Sequence, residues 1–450
     1  MHNKLSISLL ILTLITIEIS GRIIIVDHMI STEKSGEYNI ATRRTGNGNY
    51  TAFRSIQQAV DYSEKGDTII IRGGMYKEAV EIKKDGIAVM SFSGENAVID
   101  GNNPRFGPLI RIEGTDIKIS GLSVMHSSTF GIYATRSANV LIEGCRVAYS
   151  EDGGIVFNHS ENVIIDNCIV HHNNYKGLAA AHEGITIRNT RYFEVRNCEV
   201  FDNKEEGIDA KYGTSHGKIY NNHVYRNNGP NIYIDKANNI EVFNNIVHDA
   251  VEKSGISVNI ESTYHPEGTK WTISNIKIYN NLIYNNSGGI GFWIEPGRGA
   301  EEKAHWDSIF IFNNTLVNNS RESTTRGGGI YIVNGESHNY GDNIHIVNNI
   351  IWERTNGFSR SLRDNAGVID KFIISNNILR AGEPTDAEGK NAIIVTGIGF
   401  YDKFNHNYRL KPGSPAIGNG CEELVPLFDL DYIPRPQGRR PDIGAFEWVK

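Results

Sequence analysis

The chain has 450 residues, of which 39% are hydrophobic and 22% charged, a composition typical of a globular protein with a sizeable core. The formal net charge of −7 argues against a nucleic-acid binder, because such proteins carry a clustered basic excess. An anionic ligand stays compatible with this charge, since a bound metal ion supplies local positive charge.

Residues 1–21 have the pattern of a secretory signal peptide. Lys4 gives a short positive start, the apolar run at 5–16 is too short to span a bilayer comfortably, and Ser20 and Gly21 are small enough for cleavage. An uncleaved membrane anchor is the alternative. The sequence therefore predicts a secreted or cell-surface protein with no membrane contact after cleavage.

Residues 22–110 are predicted to form an N-terminal cap and the first coils of a repeat. Gly66 and Asp67 turn the chain into a strand at 68–71. A helix that plugs the end of the repeat is the simplest interpretation of the preceding segment, because an open end would expose strand edges. One face of this predicted helix carries Phe53, Ile56, Ala59 and Val60.

A repeat occupies residues 111–400, in units such as "NVLIEGCRVAYSEDGGIVF" and "NIEVFNNIVHDAVEKSGIS". Short strands of alternating polarity recur every 23 to 36 residues, and no leucine consensus or helical half-repeat is present. This pattern predicts an all-β parallel β-helix of about three strands per coil, with coils stacked at ~4.8 Å. One aligned column holds Cys145, Cys168, Cys198, Asn222, Asn245, Asn281, Asn314, Asn349 and Asn377.

The asparagines of this column are predicted to form a buried ladder, because each amide can hydrogen-bond a backbone turn and the asparagine of the next coil. The three cysteines then serve as small apolar substitutes in the same ladder. Core thiols are favoured over a disulfide, and a metal site is the weakest interpretation because converging ligands at close spacing are absent.

Residues 401–450 are predicted to form an irregular C-terminal cap, with apolar side chains that need burial. Both ends of the chain, "FRSIQQAV…GDTIIIRGGMY" and "YRLKPGSPAIGNG…DIGAFE", resemble the ends of secreted right-handed parallel β-helix proteins. The resemblance implies a right-handed solenoid with an N-terminal capping helix. Most such proteins are polysaccharide lyases, glycoside hydrolases, epimerases, or surface and tail proteins. It also implies a monomer that acts on a polysaccharide.

A polar strip is predicted on one outer face of the solenoid. Side chains alternate after each Gly-Ile pair, so Ile208 and Ala210 point inward while Asp209 and Lys211 face solvent. Exposed aromatics suit stacking on sugar rings, and the predicted substrate-binding residues are Tyr233, Asn259, Trp293 and Tyr331. The aligned outward pairs are Tyr133/Thr135, Val156/Asn158, Ala179/Ala181, Asp209/Lys211, Tyr233/Asp235, Ser257/Asn259, Gly291/Trp293 and Tyr331/Val333, followed by Glu261 aligned with Glu295.

The favoured chemistry is metal-assisted β-elimination of a polyuronate. The stretch "EEGID" is similar to the Asp-Asp-Gly-x-Asp calcium element of β-helical pectate lyases that use a lysine base. This resemblance implies calcium held by Glu205, Glu206 and Asp209. Lys211 is the candidate base if a nearby cation lowers its pKa. It does not occupy the family's base position, and the preceding coil, "YKGLA", lacks the family's further aspartate.

Glycoside hydrolysis by a carboxylate pair is the alternative. Asp209 and Asp235 lie on a predicted diagonal of ~8 Å that suits inversion, whereas stacked Glu261 and Glu295 suit retention at ~5 Å. Such stacked acids need a proton or a cation between them. A surface salt bridge between Lys211 and Asp235, worth under ~1 kcal/mol, is the simplest interpretation of that pair. A non-catalytic glycan-binding solenoid and an epimerase also stay open.

Overall fold

The computed structural model of the protein describes residues 21–102, 105–177, 180, 182–262, 270–295, 304–320, 327–333, 343–353 and 359–450. The predicted signal peptide, apart from Gly21, lies outside these residues. Within the described part of the chain, no helix has both the length and the hydropathy needed to cross a membrane.

The chain winds through three sheets in turn, and each coil contributes one strand to each sheet. Sheet 1 has 16 described strands: Ile23–Val26, Lys34–Asn39, Arg44–Thr45, Tyr50–Phe53, Thr68–Ile71, Ala88–Ser91, Ile117–Ser120, Ala138–Glu143, Glu161–Asp166, Arg191–Arg196, Ser215–Tyr220, Asn238–Phe243, Thr272–Tyr279, His305–Phe312, Ile344–Val347 and Ile373–Ser375. Sheet 2 has 11: Val80–Ile82, Ile110–Ile112, Phe130–Thr135, Gly153–Asn158, Ile185–Arg188, Ile208–Lys211, Ile232–Asp235, Ser254–Ile260, Gly288–Ile294, Ile330–Val333 and Leu362–Asp364. Sheet 3 has 13: Gly74–Tyr76, Ala97–Asp100, Leu122–Met125, Arg146–Ala148, Ile169–His171, Glu199–Phe201, His223–Tyr225, Ile246–His248, Leu282–Tyr284, Thr315–Val317, Ile350–Trp352, Ile378–Arg380 and Ile393–Val395.

The coils pair in parallel and in register, which confirms the predicted parallel β-helix. In sheet 1, Ile142 pairs with Ile165, and the same column continues coil by coil to Ile374. These side chains are buried with the matching aliphatic columns of the other two sheets in one continuous core. Stacking like on like fills the interior because each coil repeats the cross-section of the one below it.

The predicted polar column is a buried ladder. Asn281 donates through Nδ2 to Asn314 Oδ1 at 3.0 Å, and Asn314 donates in the same way to Asn349 at 3.0 Å. The cysteines at 145, 168 and 198 are free thiols in the same ladder, each with its side chain buried. A second ladder, at the turn from sheet 3 to sheet 2, was not predicted and includes Asn173, Asn203, Asn227, Asn286 and Asn319.

The N-terminal end is closed by helix α1, Ile56–Tyr62, and by the strands between Ile23 and Phe53. The helix buries Ile56, Ala59 and Val60 against the first coils. The Ser55 side chain accepts from the Gln58 amide, which satisfies one of the free N–H groups at the helix start.

The C-terminal segment folds back along the solenoid rather than only covering its last coil. It contains the hairpin formed by strands Phe400–Asp402 and Asn407–Leu410, with a short 3₁₀ turn, Lys403–Asn405, between them. Another 3₁₀ turn, Ile369–Lys371, lies in the last coils. Asn313 Nδ2 donates to the Asp442 carbonyl at 3.0 Å, and the Ala445 amide donates to Thr315 Oγ1 at 2.9 Å. The segment therefore binds the side of several coils.

A buried acid in the last coils makes stability depend on pH. Burial raises the pKa of Glu383 to about 7 from an ordinary value of 4.5. Hydrogen bonds from Glu353 N and Ser359 Oγ act in the opposite direction and are outweighed. Between these pH values the folded state holds a proton that the unfolded state has lost, so stability falls as pH rises through this window, by roughly 3 kcal/mol.

We expect Glu383→Gln to remove the part of this slope that Glu383 contributes, measured as the urea unfolding midpoint at pH 5 and pH 7.5. The exposed Glu388→Gln is the matched control and should keep the wild-type slope. Equal slopes in all three proteins would contradict the assignment to Glu383.

Candidate functional site

The predicted polar strip lies on the outer face of sheet 2. One outward column runs Thr186, Asp209, Tyr233, Ser257, Gly291 and Tyr331. The other runs Arg188, Lys211, Asp235, Asn259, Trp293 and Val333. The inward partners of these residues, including Ile208 and Ala210, belong to the core.

The predicted alignment is wrong in one coil. The strand there is Ile185–Arg188, so Thr186 and Arg188 occupy the positions assigned to Ala179 and Ala181. Both alanines lie outside the described residues. The error arose because "KGLAA" imitates the Gly-Ile-small pattern, whereas the true strand follows Gly184 after a longer turn.

The strip is largely covered instead of facing solvent, which corrects the predicted exposure. Asp209 is 1% exposed, Lys211 5% and Asp235 0%. Tyr233 and Tyr331 are also buried, and Trp293 is half-buried. Alternation predicted the outward direction of these side chains correctly, but side chains from neighbouring turns close over them.

Lys211 forms its ion pairs with Glu183 and Asp209. Its Nζ contacts Glu183 Oε1 directly and lies 3.1 Å from Asp209 Oδ2. Glu183 also accepts from Thr186 Oγ1 at 2.6 Å. The predicted surface salt bridge to Asp235 is therefore wrong, because Asp235 is paired with Lys236, Oδ2 to Nζ, at 3.4 Å.

These contacts keep Lys211 charged. Burial alone would lower the pKa of Lys211, but Glu183 and Asp209 raise it well above the ordinary value. Burial likewise favours a raised pKa for Glu183, and Lys211 outweighs it, so the pKa of Glu183 is lowered. Lys211 and Glu183 are thus the ionised pair of the site.

The remaining acids exceed the available positive charge. Burial raises the pKa of Asp209 well above its ordinary value, with Glu183 and Glu206 adding repulsion. Burial and the Glu183 charge raise the pKa of Glu206 to about 8, and burial and the same charge raise that of Glu205. The group holds protons or attracts a cation, because like charges in one buried place disfavour ionisation.

A second group of side chains lies on the next two coils. Glu261 accepts from Tyr233 Oη at 2.9 Å and from Tyr212 Oη at 3.2 Å, and its amide donates to Asp235 Oδ1 at 3.0 Å. Lys236 Nζ donates to the Glu261 carbonyl at 2.5 Å. Burial and Glu261 raise the pKa of Asp235 well above its ordinary value.

Glu261 and Glu295 are on adjacent coils, as predicted, but their carboxylates turn to different partners. The Glu295 amide donates to the Ile260 carbonyl at 2.9 Å, while Glu295 Oε2 accepts from the Ser262 amide at 2.6 Å. Glu261 instead turns toward the two tyrosines. Each carboxylate therefore has hydrogen-bond donors of its own.

Two acceptor oxygens of the strip lack a hydrogen-bond donor among the described residues. They are Asp209 Oδ1 and Asn259 Oδ1, two coils apart, and between them Asp235 Oδ2 has only its 3.4 Å ion pair with Lys236 Nζ. Buried acceptors normally have donors, so this concentration marks a place where a ligand would supply them. Gly291 in the same strip allows the Tyr331 ring to pack against its backbone, since a Cβ there would lie 2.6 Å from that ring.

The acid group has the right chemistry for calcium, because carboxylate oxygens are its preferred ligands. Asp209 Oδ1 is buried without a donor, and Glu205 and Glu206 lie in the turn that precedes its strand. The side chains are not arranged around one point, since the Lys211 ammonium lies between Glu183 and Asp209. Among the described residues, no three acidic, histidine or cysteine side chains converge as a ready metal site.

Three residues of the site were missed by sequence reasoning. Glu183 was hidden by the misaligned coil, although "HEGI" repeats the Glu-Gly-Ile of "EEGI". Tyr212 and Lys236 follow their strands in left-handed backbone conformations, with φ of 54° and 48°. Such conformations are uncommon for tyrosine and lysine, so the backbone of the structure marks these two residues although the sequence does not.

The strand order, register and cross-section define a right-handed parallel β-helix. A sequence model described as "Right handed beta helix region" matches residues 108–270. Pectate lyase Pel9A superimposes with a TM-score of 0.54 at 13% identity, over 96% of this chain and 98% of that one. The Streptococcus pneumoniae surface adhesin PfbA gives 0.54 at 15% identity, over 75% and 86%. At such identities the likeness establishes the fold alone.

Curated relatives match over short segments. The uncharacterized protein YwoF of Bacillus subtilis is 33% identical over 104 residues, which is 19% of this chain and 22% of that protein. A probable pectinesterase/pectinesterase inhibitor 44 of Arabidopsis thaliana is 35% identical over 85 residues, 17% of this chain and 16% of that protein. The chain thus aligns with well under a third of either relative.

Proposed function

We propose that this protein cleaves an acidic polysaccharide by β-elimination at the outer face of sheet 2. The observation that carries the proposal is Glu183, which lies against Lys211 one coil before Glu206. It supplies, from the preceding coil, the further acid that the sequence comparison with calcium-dependent pectate lyases lacked. Glu183 and Asp209 then contact Lys211 directly, and Glu205 and Glu206 lie in the turn before Asp209.

Elimination from a uronate removes the proton on C5, beside the carboxylate, and breaks the bond from C4 to the glycosidic oxygen. A C4–C5 double bond remains on one product, and the other product receives a proton on its leaving oxygen. The reaction needs a cation near the substrate carboxylate and a base near C5. Lys211 is the proposed base. It must first lose its ammonium proton, which Glu183 and Asp209 stabilise by raising the pKa of Lys211.

Calcium is the proposed cation, held by Glu183, Glu205, Glu206 and Asp209, and when bound it would neutralise the substrate carboxylate and acidify the C5 proton. The residues of the next coils bind and orient the polymer. Asn259 offers an acceptor for a sugar hydroxyl, and Trp293, which is half-buried, lies beside it. Tyr233 keeps its hydroxyl on Glu261 and so fixes that carboxylate.

Hydrolysis is the second candidate, and the raised pKa values of Asp209 and Asp235 favour it. A carboxyl group that keeps its proton can serve as a general acid. The two residues lie on a diagonal, with Asp209 paired to Tyr233 and Lys211 to Asp235. A spacing of ~7–8 Å suits the inverting reaction. Glu261 and Glu295 are the weaker choice for a retaining pair, because each carboxylate accepts hydrogen bonds from different donors.

We propose that the protein acts outside the cell or at its surface, with residues 1–21 as the leader. The fold is shared with a pectate lyase and with a surface adhesin. N-terminal sequencing of the mature chain from culture fluid tests the leader. A chain that stays uncleaved in the membrane fraction would contradict it.

The experiment that tests the reaction incubates the full chain with polygalacturonate, alginate, rhamnogalacturonan and neutral xylan, with calcium and with a chelator. We expect absorbance from the C4–C5 double bond on at least one acidic polymer, and its loss on chelation. New reducing ends without that absorbance would show that the protein hydrolyses the polymer and would contradict elimination. If the protein binds a polymer but cleaves none of the panel, the result would support a non-catalytic glycan-binding solenoid.

A further inference from the structure

We propose that the protein has a second saccharide-binding site, away from the sheet 2 strip, between sheet 3 and the C-terminal segment. This place, the tail cleft, is lined by Asn244, Tyr284, Arg409, Asp431, Tyr432 and Phe446 and has a volume of about 680 Å³. That size lies within the range of small-molecule sites. The inference rests on the polysaccharide part of the proposed function and is independent of the cleavage chemistry.

Aromatic rings form the floor and one rim of the tail cleft. Tyr284 is stacked between His248 and His406, with ring centroids 4.7 Å away on each side. Tyr432 on the rim is 53% exposed, although an aromatic ring of this size gains by burial. A sugar ring presents an apolar C–H face, which would pack on the exposed Tyr432 ring, because both faces of Tyr284 are already covered.

Polar groups stand where those hydroxyls would lie. Arg409 donates two hydrogen bonds to the Asp431 carboxylate, at 2.5 and 2.6 Å. These bonds hold the guanidinium and the carboxylate in place at the rim of the cleft. The Asn244 side chain is 7% exposed, and its Oδ1 has no hydrogen-bond donor among the described residues. A sugar hydroxyl would supply the missing donor, which an apolar ligand could not do.

The tail cleft and the strip lie on different faces of the solenoid, because their residues belong to sheets 3 and 2. A short oligosaccharide can occupy only one of them at a time. A long polymer can bind at both, so its second contact is intramolecular and strengthens retention. The tail cleft therefore predicts tighter binding of polymer than of oligomer.

The test measures polymer retention by affinity electrophoresis in gels that contain polygalacturonate, alginate, rhamnogalacturonan or xylan. The variants are Tyr432→Asn and Asn244→Gly, chosen because both positions have positive φ, 63° and 54°, which Asn and Gly tolerate. Tyr401→Asn is the matched control, since Tyr401 is 62% exposed in the same segment but does not line the cleft. Each variant is made in the wild type and in the Lys211→Arg chain.

We expect both cleft variants to lose about tenfold in polymer affinity, with turnover of short oligomers and retention by the control unchanged. Cleft variants that are retained like the control on every polymer would overturn the second site, as would the absence of any retention by the wild type. Loss of cleavage with intact cleft-dependent retention would instead refute only the proposed reaction.

Discussion

Lys211→Arg should lower cleavage by on the order of a thousandfold while the protein stays folded, since this is the usual contribution of a general base. Arginine keeps a positive charge beside Glu183 and Asp209, so the ion pairs persist. Its guanidinium stays protonated at all working pH values and cannot take a proton from C5. The measurement is kcat/KM on the acidic polymer, with thermal unfolding as the check of folding.

Lys277→Arg is the matched control, because Lys277 is paired with Glu241 on sheet 1 at 3.2 Å and lies far from the strip in the fold. It should leave kcat/KM unchanged. Wild-type turnover by Lys211→Arg would show that Lys211 is a counter-ion for the acids, and the base would have to be sought elsewhere. Lys211→Met would then separate the two roles, since it removes the charge as well as the base.

Asn314→Ala should destabilise the solenoid by about 4 kcal/mol, because it breaks a buried ladder in two directions. Asn314 Oδ1 accepts from the amide and the side chain of Asn281, both at 3.0 Å. Its Nδ2 donates to the Ile278 carbonyl at 2.8 Å and to Asn349 at 3.0 Å. Alanine leaves each of these buried partners without its bond.

Asn222→Cys is the informative comparison for this prediction. Asn222 follows Cys198 in the ladder, and the thiol there already serves in place of an amide, with its Sγ against the Ile165 carbonyl. We expect a cysteine at this end of the asparagine run to cost about half as much as Asn314→Ala. Urea unfolding midpoints give both values, and a loss below about 0.5 kcal/mol for Asn314→Ala would contradict the structural role of the ladder.

The fold was predictable because a solenoid repeats one cross-section. Ile142, Cys145 and Val147 recur at fixed offsets, and each stacks on its equivalent in the next coil. Side-chain period and turn residues therefore determine register without knowledge of distant contacts. The fold-back of the C-terminal segment was not predictable, since Asn313 and Thr315 carry no sequence mark of the partners they hold there.

The candidate site was predictable only in part. Alternation placed Asp209 and Lys211 on the outer face, and their register with Tyr233 and Asp235 is the predicted one. A longer turn before Ile185 shifted one coil and concealed Glu183, which is the partner that decides the charge of Lys211. An insertion of this kind lengthens a turn and leaves the strands of the coil unchanged, so the strand pattern in the sequence does not reveal it.

Burial of the strip depends on side chains that reach it from other turns. Tyr212 lies with its ring 5.2 Å from Lys211 Nζ and 4.7 Å from Lys236 Nζ, and so separates the two ammonium groups. Its hydroxyl reaches Glu261, two coils on. Period alone cannot show that a tyrosine after one strand covers a lysine in it, because that depends on the left-handed turn between them.

The most direct test of the central claim is cleavage of an acidic polymer in heavy-oxygen water, with the products analysed by mass spectrometry. Elimination adds no water across the broken bond, so we predict unsaturated products that carry no heavy oxygen, and no such products from Lys211→Arg. Saturated products with one heavy oxygen at each new reducing end would contradict the account, because they arise from hydrolysis by a carboxyl pair.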